Sequence, residues 1–326
     1  MEDCLKFKYS HEDIIRLFED GEIVSICETA AFQRLKGISF LGAVERTPAY
    51  SKRRHNRFDH SIGVALLAQH YAKKLGFAAV DRIKIVAAAL LHDIGHAPLS
   101  HSIEPLFVER FGLDHHIATE NILKGKVAIG RGVSSALAGF KIDVDEIINL
   151  ISCGDTSSRG RIFSSPINVD TIEAIWRGGS YVRKQFFNPI SVLDAFIDCD
   201  FDSTSIVDRF WSEKDAFYWL MIYSKDGVAA DYWARNRIGS CKNLSPDDFY
   251  LTERHFLNKF AAATNEGHDS IEVDIKVRKF EVDTLEKVSS YDSLSRRYKV
   301  VKFKKSILLH PPSRKLKISS LTKSLI

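Results

Sequence analysis

Long hydrophobic runs are missing from this chain. No apolar stretch approaches the ~18 residues that a membrane-spanning helix needs; the richest, Ile85 to Leu91, is far shorter. A membrane partner is therefore not expected. Paired cysteines are missing as well. The five, Cys4, Cys27, Cys153, Cys199 and Cys241, are odd in number, scattered and without a CxxC pair. That argues against a cysteine-built zinc site and points to free thiols in a reducing, cytoplasmic setting. The opening Met1-Glu2-Asp3-Cys4-Leu5-Lys6 lacks the charged-then-apolar layout of a secretory signal, which fits the same location. Internal repeats and low-complexity segments do not stand out. Acidic residues are missing from the end: after Asp292 the chain carries Arg296, Arg297, Lys299, Lys302, Lys304, Lys305, Arg314, Lys315, Lys317 and Lys323 with no acid. Such a basic segment can attract phosphates or nucleic acid; a solvated face or tail is the plainer reading.

What is present is an ordinary folded composition. The 326 residues are 45% hydrophobic and 27% charged, which rules out wholesale disorder. The length allows about two domains, or one large domain with an appendage. Apolar residues recur at helical spacing through the first two thirds. Ile62 to Leu75 is expected to be a helix capped by Ser61. Asp81 to Leu91 begins at a capping Asp and becomes apolar all round, as a buried central helix would. Asp143 to Ile151, Asp170 to Trp176, Ser191 to Asp198 and Ser212 to Arg235, the last interrupted near Gly227, read as further helices. Past residue 265 the period changes. Ser270 to Val277 alternates like a half-buried strand, Tyr298 to Leu309 is β-rich and basic, and Leu5 to Tyr9 could add a short strand. The expected organisation is a helical body over 15–265 and a small basic α+β or β appendage over 266–326.

Histidine placement carries the chemistry. Of 12 histidines, five fall in His92-Asp93-Ile94-Gly95-His96-Ala97-Pro98-Leu99-Ser100-His101 and Asp114-His115-His116. A sixth, His60, ends Arg57-Phe58-Asp59-His60. Imidazole nitrogens and carboxylate oxygens are ligands for divalent transition metals. A buried helix ending in His92-Asp93 delivers one of each beyond its C-terminus, because the helix stops there and Gly95 frees the backbone. His60, at the start of the preceding helix, comes beside His92 if the two helices pack antiparallel.

Three ordered stretches, Ala31 to Gly42 (AFQRLKGISFLG), His55 to Ala68 (HNRFDHSIGVALLA) and Ala88 to His101 (AALLHDIGHAPLSH), resemble the HD-domain phosphohydrolases. The resemblance covers roughly residues 20–235 and is closest to the deoxynucleoside-triphosphate triphosphohydrolase branch, which includes the dGTP triphosphohydrolases. It implies a mainly α fold, the HD-domain helical bundle, here with a small β-containing C-terminal appendage. It also implies a metal set of His60, His92, Asp93 and Asp170. Asp170 is matched through Asn168 to Gly178 and equally fits a helix N-cap. Mixed nitrogen and oxygen ligands suit one divalent ion of Mn, Fe, Co, Ni or Zn, with Mg as the alternative. By the same resemblance Arg57 and His96 hold phosphate oxygens, His101 or His115 protonates the leaving oxygen, and Tyr223 lies on the family's substrate-facing helix. The remaining histidines, His11, His55, His70, His116, His255, His268 and His310, receive no role.

The implied activity is hydrolysis of a phosphate ester or anhydride, with a nucleotide or nucleotide-derived substrate. Two alternatives stay open: a phosphodiesterase or nuclease acting on oligonucleotides through the basic C-terminal segment, and a non-catalytic nucleotide or nucleic-acid sensor. A homo-oligomer also stays open. The departures from the branch bear on substrate. Phe40 stands where the branch has a sugar-contacting Gln. Thr171 replaces a phosphate-contacting Lys, Ala174 and Gly178 replace a Tyr and an Asp, and Asp215 replaces an Arg. A lost hydrogen bond to a charged group costs ~1.5–3 kcal/mol, and ~1.4 kcal/mol is already tenfold. Ordinary dNTPs are therefore expected to be poor substrates, by roughly a hundredfold or more. Steady-state comparison of the four dNTPs with dinucleoside and oligonucleotide substrates checks this. A kcat/KM of ~10⁴ M⁻¹s⁻¹ on a dNTP would show the replacements to be inconsequential.

Overall fold

A computed structural model describes residues 5–18, 20–47, 54–165, 167–181, 187–198, 204–222, 224–263, 299–301 and 313–315. The chain is mainly α-helical there, and it divides into two compact units, each built from discontinuous segments. The first comprises Met1–Lys36, His55–Gly95 and His115–Phe210; the second comprises Gly37–Arg54, His96–Asp114 and Trp211–Ile326. Among the described residues no helix is long and apolar enough to cross a membrane. Cys27, Cys153 and Cys241 are free thiols.

The first unit contains α1 (His11–Leu17), α2 (Gly21–Cys27), α3 (Ala30–Arg34), α4 (Arg57–Lys74) and α5 (Ala79–Leu91). In the second unit, α6 is Glu104–Phe111. The chain then returns to the first unit with α7 (His115–Leu123), α8 (Arg131–Gly139), α9 (Val144–Ile151), α10 (Arg161–Ser164), α11 (Val169–Gly179) and α12 (Pro189–Asp198). Helix α13 (Thr204–Phe217) runs on through a π-helical turn, Tyr218–Ile222, toward α14 (Lys225–Gly239) and α15 (Glu253–Ala263).

Helices α4 and α5 form the centre of the first unit, with α11 and α12 on α4 and with α2 and α9 on α5. Every residue of α5 from Ile85 to Leu91 is fully buried, as its all-round apolar pattern requires. Helix α4 begins earlier than the hydrophobic period shows. Its cap is Asn56, whose side-chain oxygen accepts from the Asp59 N–H, so Ser61 lies inside the helix and is buried. Likewise α5 is entered from Ala78, and Asp81 sits in its first turn. Asp143 does cap α9. Where α13 gives way to α14, the stop is Ser224, which caps the new helix by accepting from the Gly227 N–H. Gly227 itself is required sterically, since a Cβ there would collide with the Met221 carbonyl.

The segment Leu5 to Tyr9 is not a strand. Side chains consume its backbone groups instead. The Tyr9 N–H donates to Asp59 Oδ1 at 2.9 Å, and Arg177 donates to the carbonyls of Phe7 and Lys6 at 2.9 and 3.3 Å. In the second unit two three-residue strands, β1 (Lys299–Val301) and β2 (Ser313–Lys315), pair antiparallel. The strand expected at Ser270 to Val277 and most of 266–326, including most of the basic run, lie outside the described residues.

Helix α4 and helix α11 approach closely at Gly63. A Cβ there would sit 2.5 Å from Glu173 Oε1 and 2.9 Å from its Cγ. Glu173 is fully buried and held on both sides, so it has no room to yield. Gly63→Ala is expected to lower stability by roughly 1–3 kcal/mol through overpacking, read as a lower denaturation midpoint at constant m.

Candidate metal centre

Four side chains converge within the first unit. His60 comes from the first turn of α4, His92 and Asp93 from the end of α5, and Asp170 from the first turn of α11. The three helices that supply them pack together through α4. His60 Nε2 lies 3.1 Å from Asp170 Oδ1 and 3.5 Å from Asp93 Oδ2. His92 Nε2 lies 3.4 Å from Asp93 Oδ1 and 3.7 Å from Asp170 Oδ1. Two ligands at ~2.1 Å from one octahedral ion and at right angles stand ~3 Å apart. These separations therefore suit neighbouring ligands around a common cation. Asp170 does not serve as the cap of α11. Asn168 does, accepting from the Thr171 N–H at 2.7 Å, which leaves the Asp170 carboxylate for the cluster.

The imidazoles are oriented from behind. His92 Nδ1 donates to the Ala89 carbonyl at 2.8 Å, and a carbonyl can only accept. His60 Nδ1 meets Glu173 Oε2 at 2.5 Å. Both contacts fix the Nδ1–H tautomer and aim Nε2 at the cluster, the arrangement by which outer carboxylates and carbonyls orient ligating histidines. His92 Nε2 is buried, and among the described residues no acceptor lies in hydrogen-bonding geometry with it. Burial works against a charged His92, but Asp93, Asp170 and the Ala89 carbonyl outweigh it and lift its pKa to about 9. His60 is raised too: Glu173, Asp170 and Asp93 overcome its complete burial. The field that favours a proton at these nitrogens equally favours a divalent cation, which competes with that proton.

Glu173 is the hub behind His60. Its other oxygen accepts from Arg177 Nη2 at 2.5 Å and from Nε at 2.8 Å. Arg177 in turn donates to the Asp59 carbonyl at 2.9 Å and to the carbonyls of Phe7 and Lys6. Glu173, Arg177 and His60 are all fully buried. Burial alone would raise the Glu173 pKa, but Arg177 and His60 hold it below the ordinary carboxylate range. Sequence reasoning passed over this pair. Its signal was visible as Glu and Arg four residues apart on the face that carries Asp170.

The other expected site residues fall as follows. Arg57 Nη1 contacts Asp93 Oδ2 at 2.5 Å, placing the guanidinium at the edge of the cluster. His115 opens α7 and lies against His116, ring centroids 4.0 Å apart. His96 and His101 belong to the second unit, where their rings meet edge to face at 4.6 Å. Tyr223 lies outside the described residues, and the side chain of Asp215 is not described. Phe40 is buried in the second unit. Gly95 is needed for a different reason from the one its sequence position suggests. Its φ is not positive; a Cβ would strike the His115 carbonyl and the Thr119 N–H, while the Gly95 N–H donates to Thr119 Oγ1 at 3.1 Å.

The family described as HD domain matches residues 57–153 of the chain. The chain is 31% identical over 167 residues to the uncharacterized protein YwfO of Bacillus subtilis, covering 50% of this chain and 37% of that protein. It is 32% identical over 129 residues to the uncharacterized protein MG461 of Mycoplasma genitalium, covering 39% of this chain and 30% of that protein. It is also similar to the deoxynucleoside triphosphate triphosphohydrolase SAMHD1 of Gallus gallus, 34% identical over 122 residues, covering 32% of this chain and 19% of that enzyme. The matched stretches thus span 19–37% of the length of these relatives.

Glu173→Gln should weaken divalent-metal binding by ~10–100-fold, because His60 loses its orienting carboxylate. It should also destabilise the fold by ~3–5 kcal/mol, since Arg177 is left buried without a counter-charge. Adding Arg177→Met should recover most of the stability and none of the metal affinity. Metal titration alongside chemical denaturation separates the two effects.

Proposed function

We propose that the chain is a divalent-metal-dependent phosphohydrolase whose substrate is a nucleotide or nucleotide-derived phosphate ester or anhydride. The observation that carries the reading is the convergence of His60, His92, Asp93 and Asp170, with both imidazoles turned so that Nε2 faces the carboxylates. Two nitrogens and two oxygens leave positions open on a six-coordinate ion and suit Mn, Fe, Co, Ni or Zn, with Mg as the alternative. A divalent ion held there supplies Lewis acidity toward a phosphoryl oxygen and toward the attacking water.

The chain's own residues do the rest. Asp93 and Asp170 supply negative charge that balances the cation, and Asp170, with its side chain 52% exposed, forms the solvent-facing side of the cluster. Glu173 and the Ala89 carbonyl keep the imidazoles from turning away. In this reading Arg57, which contacts Asp93, shares a phosphate oxygen with the cluster. His96 holds a phosphate oxygen and His101 or His115 returns a proton to the leaving oxygen; these roles rest on their positions in the sequence motif. A histidine near its ordinary pKa of ~6.5 suits that transfer. The nucleotide class rests on the likeness to the deoxynucleoside triphosphate triphosphohydrolases.

Asp93→Ala should abolish turnover and cost at least an order of magnitude in metal affinity, with the helical circular dichroism retained. His101→Gln should lower turnover by ~10²–10⁴-fold and leave metal stoichiometry unchanged. The assay is a panel of nucleotides, dinucleotides, cyclic nucleotides, oligonucleotides and bis(p-nitrophenyl) phosphate with Mn, Co, Ni and Mg, together with metal analysis. Preferred cleavage of oligonucleotides would shift the reading to a nuclease. Tight ligand binding without turnover of any compound would replace it with a sensor.

A further inference from the structure

In the second unit, two consecutive residues before His101 hold left-handed backbone without being glycine. Leu99 has φ 58° and Ser100 has φ 45°. Such positions are strained for residues with a Cβ and persist only when their surroundings over-determine them. Here the surroundings are a buried polar clamp. The Leu99 N–H donates to Glu253 Oε1 at 3.1 Å. The same oxygen accepts from the Ser39 N–H at 2.7 Å and from the Ser39 hydroxyl. Glu253 Oε2 is paired with Arg46 Nη2 at 2.7 Å, and both side chains are below 10% exposed. The Ser100 hydroxyl donates to the Ser39 carbonyl at 2.6 Å, closing the loop onto the same strip of backbone.

A second set of bonds fixes the far side of the histidine. The Ser102 hydroxyl donates to Asp231 Oδ1 at 2.6 Å and accepts from the Ala43 N–H at 2.8 Å. Arg235 Nε donates to the Ser102 carbonyl at 2.9 Å. His101 is thus the half-buried residue between two anchored, fully buried serines. Its ring stands perpendicular to that of buried His96, and its Nδ1 faces Glu104 Oε2 at 3.6 Å. Glu253 is the member of this clamp that reaches Leu99, Ser39 and Arg46 together.

We infer that Glu253, 152 positions after His101 in the sequence, is a positioning residue that holds the left-handed Leu99–Ser100 turn and so sets the direction in which His101 presents its imidazole. The inference rests on the reading of His101 as a proton-transfer residue. A misplacement of about 1 Å in a reacting group can cost up to ~10²-fold in rate, so a clamp on the preceding turn is felt in kcat rather than in binding.

The test uses the full chain loaded with metal and the best substrate from the panel. Glu253→Gln keeps the shape but loses the charge and one of the two acceptor oxygens; Glu253→Ala loses both acceptors. Expected results are a fall in kcat of about tenfold for the first variant and more for the second, with KM within about twofold and metal stoichiometry unchanged. Ser100→Gly placed in the Glu253→Gln background should return kcat at least severalfold, because glycine adopts positive φ without the clamp. A purely structural Glu253 would lower the melting temperature, leave kcat per folded molecule unchanged and gain nothing from that glycine. If Glu253→Ala does not fold, Glu253→Gln and its Ser100→Gly partner carry the test alone. Unchanged kcat in Glu253→Gln, or a loss that Ser100→Gly does not relieve, overturns the inference while His101→Gln still impairs turnover. Unchanged turnover in His101→Gln overturns the catalytic reading, and the positioning role falls with it.

Discussion

The carboxylate of Glu173 is fully buried between a histidine and an arginine, and much of the first unit is arranged to allow this. Removing either partner would leave a buried charge uncompensated, at a cost of several kcal/mol. Glycine at position 63 makes room for the side chain on the facing helix. Arg177 spends its remaining donors on carbonyls from the N-terminal segment and from Asp59, so these carbonyls are tied to the same pair. The consequence at the front is that His60 cannot rotate: its Nδ1 is engaged and its Nε2 must face Asp93 and Asp170. A candidate metal site of two imidazoles and two carboxylates is thereby set up by a buried ion pair one layer deeper.

The two histidines of that cluster are held by different means. His60 depends on a charged partner from another helix, whereas His92 uses the carbonyl of Ala89 in its own helix. The second arrangement is local: a helix that ends at His92 leaves carbonyls of its last turn without intrahelical partners, and a side chain there can take one up. The first is non-local and requires α4 and α11 to meet at a defined rotation. His101 is held in a third way, by anchoring the backbone on either side rather than the ring itself.

The glycines show how easily a local rule can reach a correct conclusion for the wrong reason. Gly95 after His92-Asp93 looks like a helix stop that needs backbone freedom. Its backbone is ordinary, and what excludes a side chain is the start of α7 pressed against it. Leu99 and Ser100, by contrast, carry the positive φ values that a sequence rule would assign to glycine. They are held there by hydrogen bonds from residues distant in the chain.

The sequence carries the helical class and the buried course of Ile85 to Leu91 in its apolar period, a property of the linear chain, and it yields the candidate ligands His60, His92, Asp93 and Asp170 only through the resemblance of its motifs to the HD-domain phosphohydrolases. It left Asp170 divided between ligand and cap, because a helix start looks alike for either. Only the packed structure, with Asn168 in the cap position, freed Asp170 for the cluster. It could not show that Leu5 to Tyr9 would forgo a strand, since the groups that claim its backbone, Asp59 and Arg177, lie about 50 and 170 residues away. Nor could it single out Glu173, Arg177 or Glu253. Each is an ordinary charged residue on a helix until burial removes water and leaves a particular partner as its only means of satisfaction. Which charges are buried, and against whom, is decided when helices pack.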